Sequence, residues 1–238
     1  MKKALAWILL AVLLCSSTGA LADINDITRF QPYTKVDLSV FINKGYDCYY
    51  DDFEFMAEID PAGGDIVYSA RDDEYTISMD IKILYNAGTC TLIPRMIFKR
   101  SGQKTYFDDR MSKVYIKNGN NRYIIDVANC SRSTNSKSYT GTDSSVEPIY
   151  SAGIIMLQDL ATAPQNVRVK MGSYTDVFTL KAVDLLLIKS FFEDCKAAGI
   201  FEQPNMGQAD DYLIKTMHNE NAPVNKESPD ATPVPPAQ

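Results

Sequence analysis

The chain has 238 residues, of which 24 are basic and 30 acidic, with five cysteines and one histidine, for a net charge of −6. The lone His218 argues against Ser-His-Asp, Cys-His and His-rich zinc chemistry, because the base or the ligands would have to come from that one residue. The acidic balance also disfavours phosphate backbones, so nucleic acid is not expected as a partner.

Lys2 and Lys3 precede an unbroken apolar run from Ala4 to Leu14, and Ala20-Leu21-Ala22 follows. That layout predicts a signal peptide over residues 1–22 and an exported chain, secreted, periplasmic or extracellular. The run falls short of the about 20 apolar residues that cross ~30 Å of hydrocarbon, so no transmembrane segment is expected. Cys15 follows Val12-Leu13-Leu14 rather than a small residue, which fits lipoprotein processing badly. Loss of Lys2 and Lys3 leaves 22 basic against 30 acidic residues, a mature net charge of −8.

Residues 23–218 read as one globular domain. Val36, Leu38, Val40 and Ile42 alternate with Lys35, Asp37, Ser39 and Phe41, which predicts a first strand. Phe53–Ile59 is the next candidate and Asp65–Ala70 a weaker one. Tyr75, Ile77, Met79, Ile81, Ile83 and Tyr85 give the clearest alternation. Cys90–Lys99, Val114–Lys117, Tyr123–Val127, Val167–Met171 and Val177–Leu180 follow. Asp60-Pro61-Ala62-Gly63-Gly64, Asn86-Ala87-Gly88 and Asn118-Gly119-Asn120 carry turn chemistry and predict antiparallel hairpins.

Cys130–Glu147, rich in serine and threonine and without a period, reads as a long surface loop. It opens on a glycosylation sequon, Asn129-Cys130-Ser131. Pro148–Ala161 and Ala182–Ala198 have helical spacing; the second carries a stripe of Leu185, Ile188, Phe192 and Cys195 and stops at Gly199. From Asn219 to Gln238 there are five prolines and only Val224 and Val234 as large apolar residues, so this tail is expected to be disordered. The fold class expected is mainly β, a β-rich α+β domain. About eight or nine antiparallel strands would form a sandwich or curved sheets, with two helices, the second packed on a sheet.

Four cysteines survive signal cleavage: Cys48, Cys90, Cys130 and Cys195. An even number in an exported chain predicts two disulfides. The spacings select no pairing, Cys48–Cys90 with Cys130–Cys195 being the first to consider. There is no C-x-x-C, no EF-hand spacing, no nucleophile elbow and no phosphate-cradling glycine loop, and no cofactor or metal is expected.

Tyr46, Tyr49, Tyr50, Asp51 and Asp52 form the most unusual local composition, flat rings beside hydrogen-bond acceptors around Cys48. Such a set suits a sugar or a cationic group, although alternate tyrosines in such a run can equally pack inward. Acid clusters at Asp51, Asp52 and Glu54, at Asp72, Asp73 and Glu74, and at Asp108 and Asp109 are candidates for carboxylate catalysis, or else a solvated surface. Arg168 and Lys170 flank Val169 on one predicted strand, and Pro94-Arg95 interrupts another. The reading that follows is a non-enzymatic module of the cell envelope, bacterial in style, or of the extracellular space, binding a protein or a glycan. A carboxylate-based glycan-active enzyme and a structural or inhibitory protein with a functional loop are the alternatives. Intact-mass spectrometry of the exported protein is expected to give a chain beginning at Asp23; a mass retaining residues 1–22 overturns the export assignment.

Overall fold

The computed structural model describes residues 27–51, 54–61, 63, 66–70, 75–103, 110–127, 129–136, 140–172, 177–207 and 213–217. The expected signal peptide, the Pro-rich tail, His218, Asp52 and the acids at 72–74 and 108–109 lie outside them.

Residues 27–30 are helical, followed by a 3-10 turn at Gln31–Tyr33 and the short helix α1 (Ser39–Asn43). Strands β1 (Asp47–Asp51), β2 (Met56–Asp60), β3 (Ile66–Ala70), β4 (Tyr75–Asn86) and β5 (Thr91–Gln103) follow. Then come β6 (Lys113–Asn118), β7 (Asn121–Asp126), β8 (Ser131–Asn135), β9 (Thr140–Pro148) and helix α2 (Ser151–Thr162). The remaining elements are β10 (Arg168–Met171), β11 (Phe178–Thr179), helix α3 (Ala182–Ala197) and β12 (Leu213–Met217). The protein is thus mainly β, with two antiparallel sheets and few helices, as its alternation predicts. One sheet runs β1-β2-β4-β5-β9-β8 with β3 also on β4; the other runs β11-β10-β6-β7-β12.

Alternation along β4 and β5 sets the core of the larger sheet. Ile77, Met79, Ile81 and Ile83 are buried, and their partners across the hairpin are Arg100, Phe98, Met96 and Pro94. In the smaller sheet Val114, Ile116, Tyr123, Ile125, Val169 and Met171 turn inward and join the same core cluster. Helix α3 contributes Ile188, Phe191, Phe192 and Cys195, and Gly199 ends it in the left-handed region at φ 79°. Two tyrosines tie it down: Tyr68 of β3 donates to the Asp184 carboxylate, and Tyr46, just before β1, to Asp194 Oδ2 at 3.0 Å.

Four sequence expectations are corrected. Residues 35–42 form a turn and α1, not a strand. Asp37 Oδ1 accepts from the Ser39 backbone N–H (3.0 Å) and hydroxyl (2.6 Å), which fixes the turn into α1, and Phe41 is the buried residue of that helix. The Asp60–Gly64 stretch is no hairpin turn, because β2 and β3 lie in succession on one edge of β4, at Ile83–Leu84 and Tyr75–Met79. The Asn86 and Asn118 turns do close hairpins, β4–β5 and β6–β7.

The Cys130–Glu147 loop is instead the β8–β9 hairpin, which widens the larger sheet beside β5. All four cysteines are free: Cys195 is buried on α3, Cys48 is half-buried on β1, Cys90 is exposed in the β4–β5 turn, and Cys130 precedes β8. Each thiol has a different setting. Cys90 donates to the Ala87 carbonyl and Cys130 to that of Ser131, whereas burial raises Cys48 to about 11 and Cys195 well above its usual value.

The β8–β9 hairpin is pinned by a charge buried in the core. Asp143 of β9 sits directly opposite Arg100 of β5 on one side and Arg132 of β8 on the other. Arg100, fully buried, donates to Asp143 Oδ2 from Nε (2.9 Å) and Nη2 (2.7 Å). Arg132 donates from Nε to Oδ1 (2.6 Å) and from Nη2 to Oδ2 (2.7 Å), and the Met111 N–H adds a further bond to Oδ2 at 3.0 Å. Burial alone would raise this carboxyl, but the bonds from Arg132 and Arg100 outweigh it and hold it below its ordinary value.

Removing the anion strands a buried guanidinium, so Asp143→Ala is expected to cost about 3–5 kcal/mol in urea denaturation. Because the folded carboxyl titrates below its unfolded value, this stabilisation is present above about pH 4 and is lost as pH falls further. A variant as stable as the parent at pH 7 overturns the assignment.

Candidate functional site

The tyrosine–aspartate cluster does not converge. Of its described members on β1, Tyr49 and Asp51 leave on one face and Tyr50 on the other. Tyr50 points inward and packs on Phe30 (ring centroids 5.3 Å) and Phe55 (6.2 Å). Tyr46 is held by Asp194, with burial the larger cause and that carboxylate the second of a far-raised phenol. Only Tyr49 is open to solvent, and it donates to Asp51 Oδ2 at 3.2 Å. Asp51 also accepts from the Glu54 N–H at 3.1 Å, which makes it a turn former. A groove of about 620 Å³ does run past this strand, but it is lined by both of its faces and so mixes Tyr49 with Tyr46, Cys48 and Tyr50.

The outward face of β1, β2 and β4 holds acids that sequence reasoning did not single out. Glu58, Asp60 and Asp80 surround the Lys82 ammonium, which contacts Glu58 closely and lies 3.4 Å from Asp60 and 3.9 Å from Asp80. Burial raises Asp60, Lys82 opposes, and the charge of Glu58 with its hydrogen bond carries the carboxyl to about 6. The signal was present as Glu58-x-Asp60 and Asp80-x-Lys82, two same-face pairs on strands that prove to be adjacent.

The smaller sheet carries the opposite sign on its outward face. Arg168 of β10 lies directly opposite Lys117 of β6, which lies directly opposite Arg122 of β7. One rank along, Lys170 faces Tyr115. These side chains line a groove of about 490 Å³ with Val177 at its margin. Arg122 stands 5.1 Å over the Tyr115 ring.

Among the described residues no carboxylate lines this groove or pairs with any of the four cations. The neighbouring Lys113, by contrast, is paired with Asp126 at 3.4 Å. Like charges directly opposite on adjacent strands repel, so among the described residues the rank is an uncompensated cost. Sequence reasoning reached Arg168 and Lys170; Lys117 and Arg122 needed the register of the Asn118–Asn121 hairpin to bring them into line.

A third groove, of about 560 Å³, runs between β3 and α3, with Val67, Val183 and Leu186 exposed along it. Among the described residues no group of three or more His, Cys, Asp or Glu side chains could hold a metal ion, and no helix is long and apolar enough to cross a membrane.

Comparison with family models, with curated proteins and with solved structures finds no match to this chain.

The raised Asp60 carboxyl gives a direct test. Its ionisation opposes folding between its unfolded value near 4 and its folded value of about 6, so stability from this group falls as pH rises through that window. Asp60→Asn is therefore expected to raise Tm at pH 7.5 and to have less effect at pH 4.5. An equal shift at both pH values shows that Asp60 is not the titrating group.

Proposed function

We propose that this chain is an exported, non-enzymatic binding module of the envelope or extracellular space, which holds a protein or glycan ligand through anionic groups on that ligand. The observation that carries the reading is the rank Arg168–Lys117–Arg122 on a sheet face, unneutralised among the described residues of a protein that is acidic as a whole. Cations held by paired β-strands are positioned before any ligand arrives, so little ordering entropy is lost on binding. An anion placed across the rank would turn cross-strand repulsion into attraction.

The carboxylate enzyme has less support. Glycoside hydrolysis needs two carboxyls about 5–10 Å apart across the scissile bond. Glu58 and Asp60 both contact the Lys82 ammonium, which occupies the space between them. Asp51 is committed to its turn.

A ligand-blind test uses a sulfonate cation-exchange matrix at pH 7 and low salt. A chain of this net charge should flow through unless a local face grips the matrix. The mature protein is expected to be retained and to elute with salt, because exposed charges are screened beyond ~10 Å at 0.1 M. Lys117→Gln combined with Arg168→Gln is expected to abolish retention. Flow-through of the unsubstituted protein, or retention that the double substitution leaves intact, overturns the reading.

A further inference from the structure

We infer that the ligand of the basic groove is an acidic glycan of the polyuronate kind, a sugar chain with one carboxylate on each ring. The inference rests on the anion-binding reading and adds the chemistry of what carries the anions.

Charge spacing is the first argument. Arg168, Lys117 and Arg122 come from three neighbouring strands, and adjacent strands lie ~4.8 Å apart. The rank therefore offers about one cation per ~5 Å over roughly 10 Å. A polyuronate presents its carboxylates at a comparable interval, one per pyranose ring. A heavily sulfated glycan carries several anions per ring and would need a denser field than four cations supply. The guanidinium groups of Arg168 and Arg122 suit planar carboxylates, which they can bind through two parallel N–H donors.

The apolar part of the groove is the second argument. Tyr115 lies in the rank next to the cations, and the exposed Val177 stands at the margin. A pyranose ring has C–H faces that pack on apolar surface, so Val177 and the part of the Tyr115 ring that Arg122 does not cover receive the sugar while the adjacent rank holds its carboxylate.

The third argument is extent. Beyond Tyr115 on the same face of β6 the next cation, Lys113, is already neutralised by Asp126. Among the described residues the positive field thus covers two ranks. A volume of about 490 Å³ matches a short oligosaccharide segment. A nucleic acid strand would carry its phosphates past this patch onto an acidic surface, where repulsion opposes it.

The test is isothermal titration calorimetry of the mature protein at low salt, with trigalacturonate as probe and its methyl ester as the uncharged counterpart. Trigalacturonate is expected to bind and the ester not to bind. Lys117→Gln with Arg168→Gln is expected to weaken binding at least about tenfold, the scale of lost charge-assisted bonds. Tyr115→Ala is expected to weaken trigalacturonate binding about threefold to tenfold while leaving sulfonate retention in place, which separates recognition of the sugar from recognition of charge.

Sulfonate retention without trigalacturonate binding overturns the glycan inference and leaves the anion-binding reading standing. Loss of both overturns both. Equal binding of the methyl ester overturns the inference. So does tighter binding of a heparin-derived trisaccharide or of a single-stranded oligonucleotide.

Discussion

The rest of the structure hangs on one buried anion. Asp143 takes hydrogen bonds from Arg100, Arg132 and the Met111 N–H, and so joins β5, β9, β8 and the segment leading into β6. The same arginine constrains the far side of the smaller sheet. Gly172, just after β10, has φ 83°, donates its N–H to Lys113 O (2.7 Å), and lies where an added Cβ would meet Arg100 Nη1 at 2.8 Å. Two independent reasons, a left-handed backbone and lack of space, therefore require glycine there. β6 and β10, which carry Lys117, Arg168 and Lys170, are thus referenced at one end to the Asp143 hub.

A buried pair of charges is weak evidence for stability, since desolvation cancels much of the attraction. Its consequence here is geometric. The register Arg100↔Asp143↔Arg132 allows one alignment of three strands, because a slip of one residue would turn Asp143 to the outer face and leave Arg100 in the core with no anion. The inward positions of β9 are Gly141, Asp143, Ser145 and Glu147, while Val146 is exposed. With so little apolar surface facing the core, polar pairing has to specify the register that hydrophobic alternation specifies in β4.

This inversion also explains what could be read in the sequence. Where a strand turns its apolar set inward, as in β4, β6 and β7, alternation located it to within a residue or two. β9 presents polar residues to the core and β8 is polar and exposed apart from Arg132, so both resemble a loop; no periodicity argument could have told them from one. The run from Lys35 to Ile42 failed for the opposite reason. It alternates well, but Asp37 caps a turn and burial falls on Val36, Leu38 and Phe41. The tyrosines near Cys48 divided as alternation demands, Tyr50 into the core and Tyr49 into water. The cation rank was half visible, because a rank across strands exists only once the register is known.

Net charge proved a poor guide to surface chemistry because the two sheets divide it. Asp47, Glu58, Asp60 and Asp80 share the outer face of the larger sheet, and the register Asp47↔Asp60 stacks acids there as Arg168↔Lys117 stacks cations on the smaller one. The larger face has its own counter-ion in Lys82, which holds three of those carboxylates together; on the smaller face Asp126 pairs with Lys113, and the rank has no counter-ion among the described residues. At low ionic strength, where the screening length reaches ~30 Å at 0.01 M, an approaching anion first meets the average, which repels it. At contact it meets the groove alone. A ligand must therefore match the spacing of the rank closely enough for short-range pairing to outweigh the long-range penalty. That requirement favours short, evenly charged chains over dense or long polyanions, and it makes the acidic remainder of the surface part of the selectivity of the basic groove.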